Sequence, residues 1–172
     1  MSMVDEGTPN PTGEAIFQEL LWIHQIIRHN LTTIMDVIEQ ITQGAPAEQV
    51  RAQIEDLAST SIIWTLRVNC MRYCSFVHKH HNFEDAAWFP ALRRINPGLH
   101  SVIDKLQADH VVVAQLLDEV EAAAQRLASD ETARTTLADA LHRLAEHLIA
   151  HLDYEETSLA STLRSLTTWP HA

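Results

Sequence analysis

The chain is short of the residues that interrupt helices. Only four glycines and six prolines are spread over 172 residues. Runs of β-branched residues are short as well, while Ala, Leu, Glu and Gln abound, so the composition favours long helices over a turn-rich fold. Basic residues are also scarce: 12 Lys and Arg stand against 23 Asp and Glu, a formal charge of −11. That balance argues against a nucleic-acid partner, which needs a basic patch. No apolar run reaches the roughly 18 residues of a membrane span. Met1 to Thr12 lacks a basic stretch followed by an apolar one, so no signal peptide is visible and a cytoplasmic protein is expected. Cysteine appears twice, as Cys70 and Cys74, four apart on one predicted helix. Neighbours along a helix make poor disulfide partners, so two reduced thiols are expected, with Cys70 in the core.

What the chain has in excess is histidine, with 11 in 172 residues and no cluster at a terminus. Apolar spacing shows where these histidines fall. A first helix is predicted over Glu14 to Gln43, with inward positions Phe17, Leu20, His24, Ile27, Leu31, Ile34, Ile38 and Ile41. Every member is apolar except His24. The second ends near Arg94 and carries Ile63, Leu66, Cys70, Tyr73, Val77, His80, Glu84 and Ala87 inward, with His80 and Glu84 as the exceptions. The third, Pro97 to Leu127, is apolar through Leu99, Ile103, Leu106, Val113, Leu117, Val120 and Ala124, broken only by His110. The fourth starts after Ser129 or Asp130, both good N-caps, and runs to about Leu166. Its seam is Leu137, Leu141, Leu144, Leu148, His151, Glu155 and Ser158.

Four amphipathic helices with short loops predict an all-α, up-down-up-down four-helix bundle. The chain length fits one domain, 1–172, with its core over about 14–167. Axial bookkeeping at about 1.5 Å per residue places His80, His110 and His151 at one level. His24 joins them only if residues 47–62 hold an extra short helix or a break near 57–62, because the direct count is otherwise off by about 20 Å.

Six seam-breaking residues thus converge: His24, His80, Glu84, His110, His151 and Glu155. Imidazoles suit iron, manganese or zinc, and carboxylates can bridge two cations. Without metal, this set would be costly to bury. His147 lies one turn before His151, beside the seam, and is a further candidate ligand. His81-x-x-x-Asp85 repeats the His80-x-x-x-Glu84 spacing one residue later and stands as its rival. His29, His78, His81 and His142 fall off the inward registers, and His100 and His171 read as surface residues. A ferritin-like di-iron bundle needs Glu-x-x-His, and the sequence has none.

His24, the run His80-His81-Asn82-Phe83-Glu84-Asp85 with Trp88-Phe89-Pro90, His110, and His151-Leu152-Asp153-Tyr154-Glu155-Glu156 together resemble the hemerythrin-like (HHE cation-binding) family. The likeness is strongest to its single-domain actinobacterial-type members. It implies two Fe ions with an oxo or hydroxo bridge, held also by Glu84 and Glu155, and a small oxygen-derived ligand: H2O2, O2 or NO. Oxygen carriers of the family have a second histidine four residues after the third-helix ligand, and here that position is Ala114. His147 is the expected substitute. The resemblance implies catalase-like peroxide removal in oxidative-stress defence, with reversible O2 or NO binding, or iron sensing, as alternatives. Tyr73 is a candidate hydrogen-bond donor near the site, and the chain is expected to act as a monomer or homodimer.

Overall fold

The computed structural model describes residues 10–43, 62–127, 129–130 and 132–171. Helix α1 is Pro11–Thr42, opened by Asn10, whose side chain accepts from the Gly13 N–H at 3.4 Å. Proline at the first turn costs nothing there, because its missing N–H has no partner in any case. Helix α2 is Ile62–Phe83. It continues through a π turn, Glu84–Trp88, into α3, Phe89–Ile95. A 3-10 turn, Pro97–Leu99, leads into α4, His100–Arg126, with the Asn96 side chain accepting from the Gly98 N–H at 3.0 Å. Helix α5 is Thr132–Ser165, and Asp130 accepts from the Thr132 N–H at 2.9 Å as expected of an N-cap.

Helix α5 packs along α1 and α4, and α2 packs along α4 and α1. Ion pairs fix the directions. Glu14 at the start of α1 meets Arg164 at the end of α5, His78 of α2 meets Asp118 of α4, and Glu119 of α4 meets Arg143 of α5. The expected four-helix bundle is therefore the observed fold, and all regular structure among the described residues is helical. No described helix is long and apolar enough to cross a membrane. The extra helix or break expected over 47–62 lies outside the described residues, apart from Ile62, where α2 begins.

The core divides into two apolar clusters. One holds Ile27, Leu31, Val77, Val113, Leu117, Leu148 and Leu152 among others, and the second holds Leu20, Trp88, Phe89, Leu106 and Leu159. On every helix the boundary between them falls at a histidine or glutamate. His24 lies between Leu20 and Ile27, and His110 between Leu106 and Val113. His81 and Glu84 lie between Val77 and Trp88, and His151 and Glu155 flank Leu152 ahead of Leu159.

The π turn changes the second helix's register. Phe89 N–H bonds to the Glu84 carbonyl, five residues back. Pro90 supplies the reason: it has no N–H for the residue-86 carbonyl, and its ring would clash with that carbonyl in an α-helix. Ala87, expected inward, is consequently half-buried, and Trp88 is buried instead. In α5 the seam steps by four after Glu155, so Leu159 is buried and Ser158 is half-buried.

Candidate metal centre

Seven side chains meet in the polar layer, in two groups. The donor atoms of His81, His110 and His151 lie within 4.8 Å of one another, as do those of His24, His80, Glu84 and Glu155. The carboxylates connect the groups. Glu84 Oε1 is 3.1 Å from His80 Nε2, and its Oε2 is 3.4 Å from His110 Nε2. Glu155 Oε2 is 3.6 Å from both His24 Nε2 and His151 Nε2.

This layer is closed to solvent and unsatisfied. His80 retains 7% side-chain exposure, while Glu84 and Glu155 keep 1% and 0%. The inward nitrogens of His24, His80 and His81, and all four oxygens of the two glutamates, have no hydrogen-bond partner. Burying so many unmade polar groups is costly, at about 1–3 kcal/mol each and more for charged ones. Cations at the two groups would use these lone pairs. Five imidazole nitrogens and four carboxylate oxygens are a fitting donor set for two metal ions.

The outer edges of three rings are held by carboxylates. His24 Nδ1 lies 2.8 Å from Glu156 Oε1, His110 Nδ1 2.8 Å from Asp85 Oδ1, and His151 Nδ1 3.4 Å from Asp109 Oδ2. A carboxylate behind the ring makes Nδ1 the protonated nitrogen and turns the Nε2 lone pair inward, the arrangement found behind metal-bound histidines. Aromatic packing adds to this: Phe89 stacks on His110, with centroids 5.4 Å apart.

The electrostatics fit a site that holds positive charge. Burial, then the nearby His110 charge, pushes His81 down to about 2. The same two causes, burial first, take His151 down to about 4. Burial also opposes charge on His110, but the hydrogen bond to Asp85 and the nearby Glu84 carboxylate outweigh it and hold that ring up at about 9. Burial and the Glu84 charge push Glu155 well above the usual carboxylate range. Glu84, against its burial, is held well below that range by His80 and His110. His110 Nε2 lies 3.1 Å from His151 Nε2, so the two rings present their inward nitrogens to one point.

Of the residues singled out in the sequence, the structure brings together His24, His80, Glu84, His110, His151 and Glu155. It does not bring His147, which is exposed. The inward position before His151 is buried Leu148, and His147 lies about 100° round the helix from it, on the exposed side. His81 was expected off the inward register. It is 4% exposed and stacks on His110, with centroids 4.0 Å apart. The rival pair is resolved in an unexpected way: His80 and His81 both face the layer, and Asp85 backs His110. Tyr73 is buried within the first apolar cluster, and its hydroxyl has no hydrogen-bond partner there. Cys70 and Cys74 are free thiols in the same cluster, and both are buried.

The sequence offered His81 and Asp85 only as a rival to His80 and Glu84. The spacing of Val77, His80, His81 and Glu84, which fills one helix face, was the signal that both histidines turn inward. Sequence reasoning missed Asp109 and Glu156, which adjoin donors in sequence but read as ordinary surface carboxylates.

Comparison with known proteins shows that residues 66–163 match the hemerythrin HHE cation binding domain. No curated protein and no solved structure matches the chain. The matched span holds six of the seven layer residues, all but His24, and covers more than half of the sequence. The chain belongs to the hemerythrin HHE cation-binding family.

Proposed function

We propose that the polar layer holds two iron ions, carrying an oxo or hydroxo bridge, and that the protein disproportionates hydrogen peroxide. The observation that carries this reading is the placement of Glu84 and Glu155, each within 3.6 Å of imidazoles from both groups. Glu84 and Glu155, set between the two groups, would be shared by the two cations. His81, His110 and His151 would hold one cation, and His24 and His80 the other, which would have fewer protein donors and so room for a small ligand. Tyr73 has no part in this assignment.

When bound, an iron pair supplies two-electron redox chemistry and Lewis acidity toward peroxide. The net reaction balances as two H2O2 giving two H2O and one O2, with one peroxide reduced and the other oxidised. The chain's own contribution is to fix the donors and to keep bulk water out. The apolar clusters close the layer from both sides, and Glu156, Asp85 and Asp109 hold His24, His110 and His151 in their donor orientation. Rapid mixing of iron-loaded protein with peroxide, read by an oxygen electrode, tests this. O2 release at half the rate of peroxide loss supports it. No O2 from protein carrying its full iron complement refutes it.

The same burial favours a second reading, reversible binding of a neutral diatomic ligand such as O2 or NO. A visible band that forms under O2 and bleaches under vacuum, with no peroxide consumption, would select that reading.

A further inference from the structure

Behind His24 stands more than one carboxylate. Glu156 Oε1 lies 2.8 Å from His24 Nδ1, and the same oxygen accepts from Arg28 Nη1 at 2.7 Å. The other arm of that guanidinium, Nη2, donates to Asp153 Oδ1 at 2.7 Å. Arg28 sits on α1 one turn after His24, and Asp153 and Glu156 sit one turn apart on α5, so the fork spans both acids. Arg28 and Glu156 are mostly covered, at 27% and 19% side-chain exposure, whereas Asp153 is 65% exposed. The Arg28–Glu156 contact is therefore the protected arm, and the Asp153 contact the solvated one.

An unaccompanied glutamate in this position would be free to swing to solvent. A second charge-assisted donor on the same oxygen stops this. The carboxylate is pinned against His24 Nδ1, which fixes the ring and directs Nε2 inward. We propose that Arg28 is a positioning residue for the His24–His80 half of the metal centre and acts through Glu156. It rests on the metal-binding reading above.

The test titrates cobalt(II), followed by its visible absorption, into wild type, Arg28→Gln, Glu156→Gln, the double variant and Asp153→Asn. Thermal melts of the metal-free proteins check folding. Arg28→Gln is expected to weaken one of the two cobalt equivalents by about 10–100-fold, the cost typical of losing a carboxylate or its support behind a metal-bound histidine. It should also alter that equivalent's absorption. Glu156→Gln should do the same, and the double variant should lose no more than either single. Asp153→Asn should stay within a factor of about two to three, as for a solvated ion pair. Equal losses in Arg28→Gln and Asp153→Asn would make the fork a simple strap between helices, and additive losses in the double variant would separate Arg28 from Glu156. Either result overturns the proposal while leaving the metal centre intact. Should Arg28→Gln fail to fold, the Glu156→Gln and Asp153→Asn pair decides, since the proposal requires the first to weaken cobalt and the second not to. A wild type that takes up no cobalt and no iron overturns the metal-binding reading itself.

Discussion

His81 and His110 lie face to face, with ring centroids 4.0 Å apart and planes 13° from parallel. They come from different helices, α2 and α4, and their meeting creates a three-histidine group with His151. That group contains the fifth imidazole that a bundle with alanine at position 114 had appeared to need from elsewhere. His81→Ala should therefore lose one of two bound metals and weaken it by more than the 10–100-fold typical of a supporting residue. His147→Ala, at an exposed site, should bind both metals as wild type does. Metal analysis after gel filtration reads the difference, and the reverse pattern would contradict the assignment.

Buried carboxylates without partners make the metal-free protein the weaker form. Glu155 is 0% exposed and neither of its oxygens has a hydrogen-bond partner. Replacing such a group by an apolar side chain commonly stabilises by about 1–4 kcal/mol. Glu155→Leu should raise the melting temperature in chelator while abolishing two-metal binding. Wild type should gain from iron instead, by about 4 kcal/mol when free metal is a thousandfold above its dissociation constant. A Glu155→Leu protein that melts lower than metal-free wild type would show that this carboxylate is satisfied without metal.

Gly13 lets the start of α1 lie directly against the end of α5. A Cβ at this position would run into the backbone carbonyl of Arg164, at the end of α5. The Asn10 side-chain amide also donates to the Leu166 carbonyl at 2.6 Å, so the approach is tied on both sides. Backbone cannot give way as a flexible side chain can. Gly13→Ala should cost about 1–3 kcal/mol despite alanine's better helix propensity. Chemical denaturation measures it, and a neutral or stabilising result would mean that the helix ends do not pack this closely.

The thiols set a pH limit on stability. Burial pushes Cys70 up to about 12, and burial with the neighbouring Cys70 pushes Cys74 higher still. In the unfolded chain both titrate near about 8.5. A native value above the unfolded one gives stability that is whole below about pH 8.5 and is lost as pH rises toward 12, by up to about 1.4 kcal/mol per pH unit for each thiol. Unfolding free energies from pH 8 to 10 should fall, and the fall should flatten in a Cys70→Ala, Cys74→Ala double variant. At pH 8 a thiol reagent should label neither cysteine in the native protein and both after denaturation. Rapid labelling of the folded chain would contradict the burial.

The bundle and most of its polar layer could be read from the seams. A histidine or glutamate that interrupts a run of leucines and isoleucines has few explanations, and His24, Glu84, His110, His151 and Glu155 each did so. What could not be read came from local backbone geometry. A single line of steps of three and four takes only one of two adjacent residues, whereas Val77, His80, His81 and Glu84 fill the full width of one helix face, so both histidines face inward. Pro90 then imposes a π turn just after Glu84, and Trp88 replaces Ala87. His147 drew attention by its spacing to His151, but His151 lies at the edge of the inward face, and a step of four back from it turns about 40° further out, to the surface. Asp85, Asp109 and Glu156 resemble solvated carboxylates until the fold sets an imidazole against each. Arg28, pairing two acids from across the bundle, left no sequence pattern at all.

The central claim is that Glu84 and Glu155 join two histidine groups into one two-metal centre. The most direct measurement is metal content together with the ultraviolet-visible spectrum of protein produced in iron-rich medium. The expected result is about two irons per chain, with near-ultraviolet absorption from a bridged pair, both lost in a Glu84→Ala, Glu155→Ala variant that still folds. Iron-free protein, or a single iron unaffected by that double substitution, would contradict it.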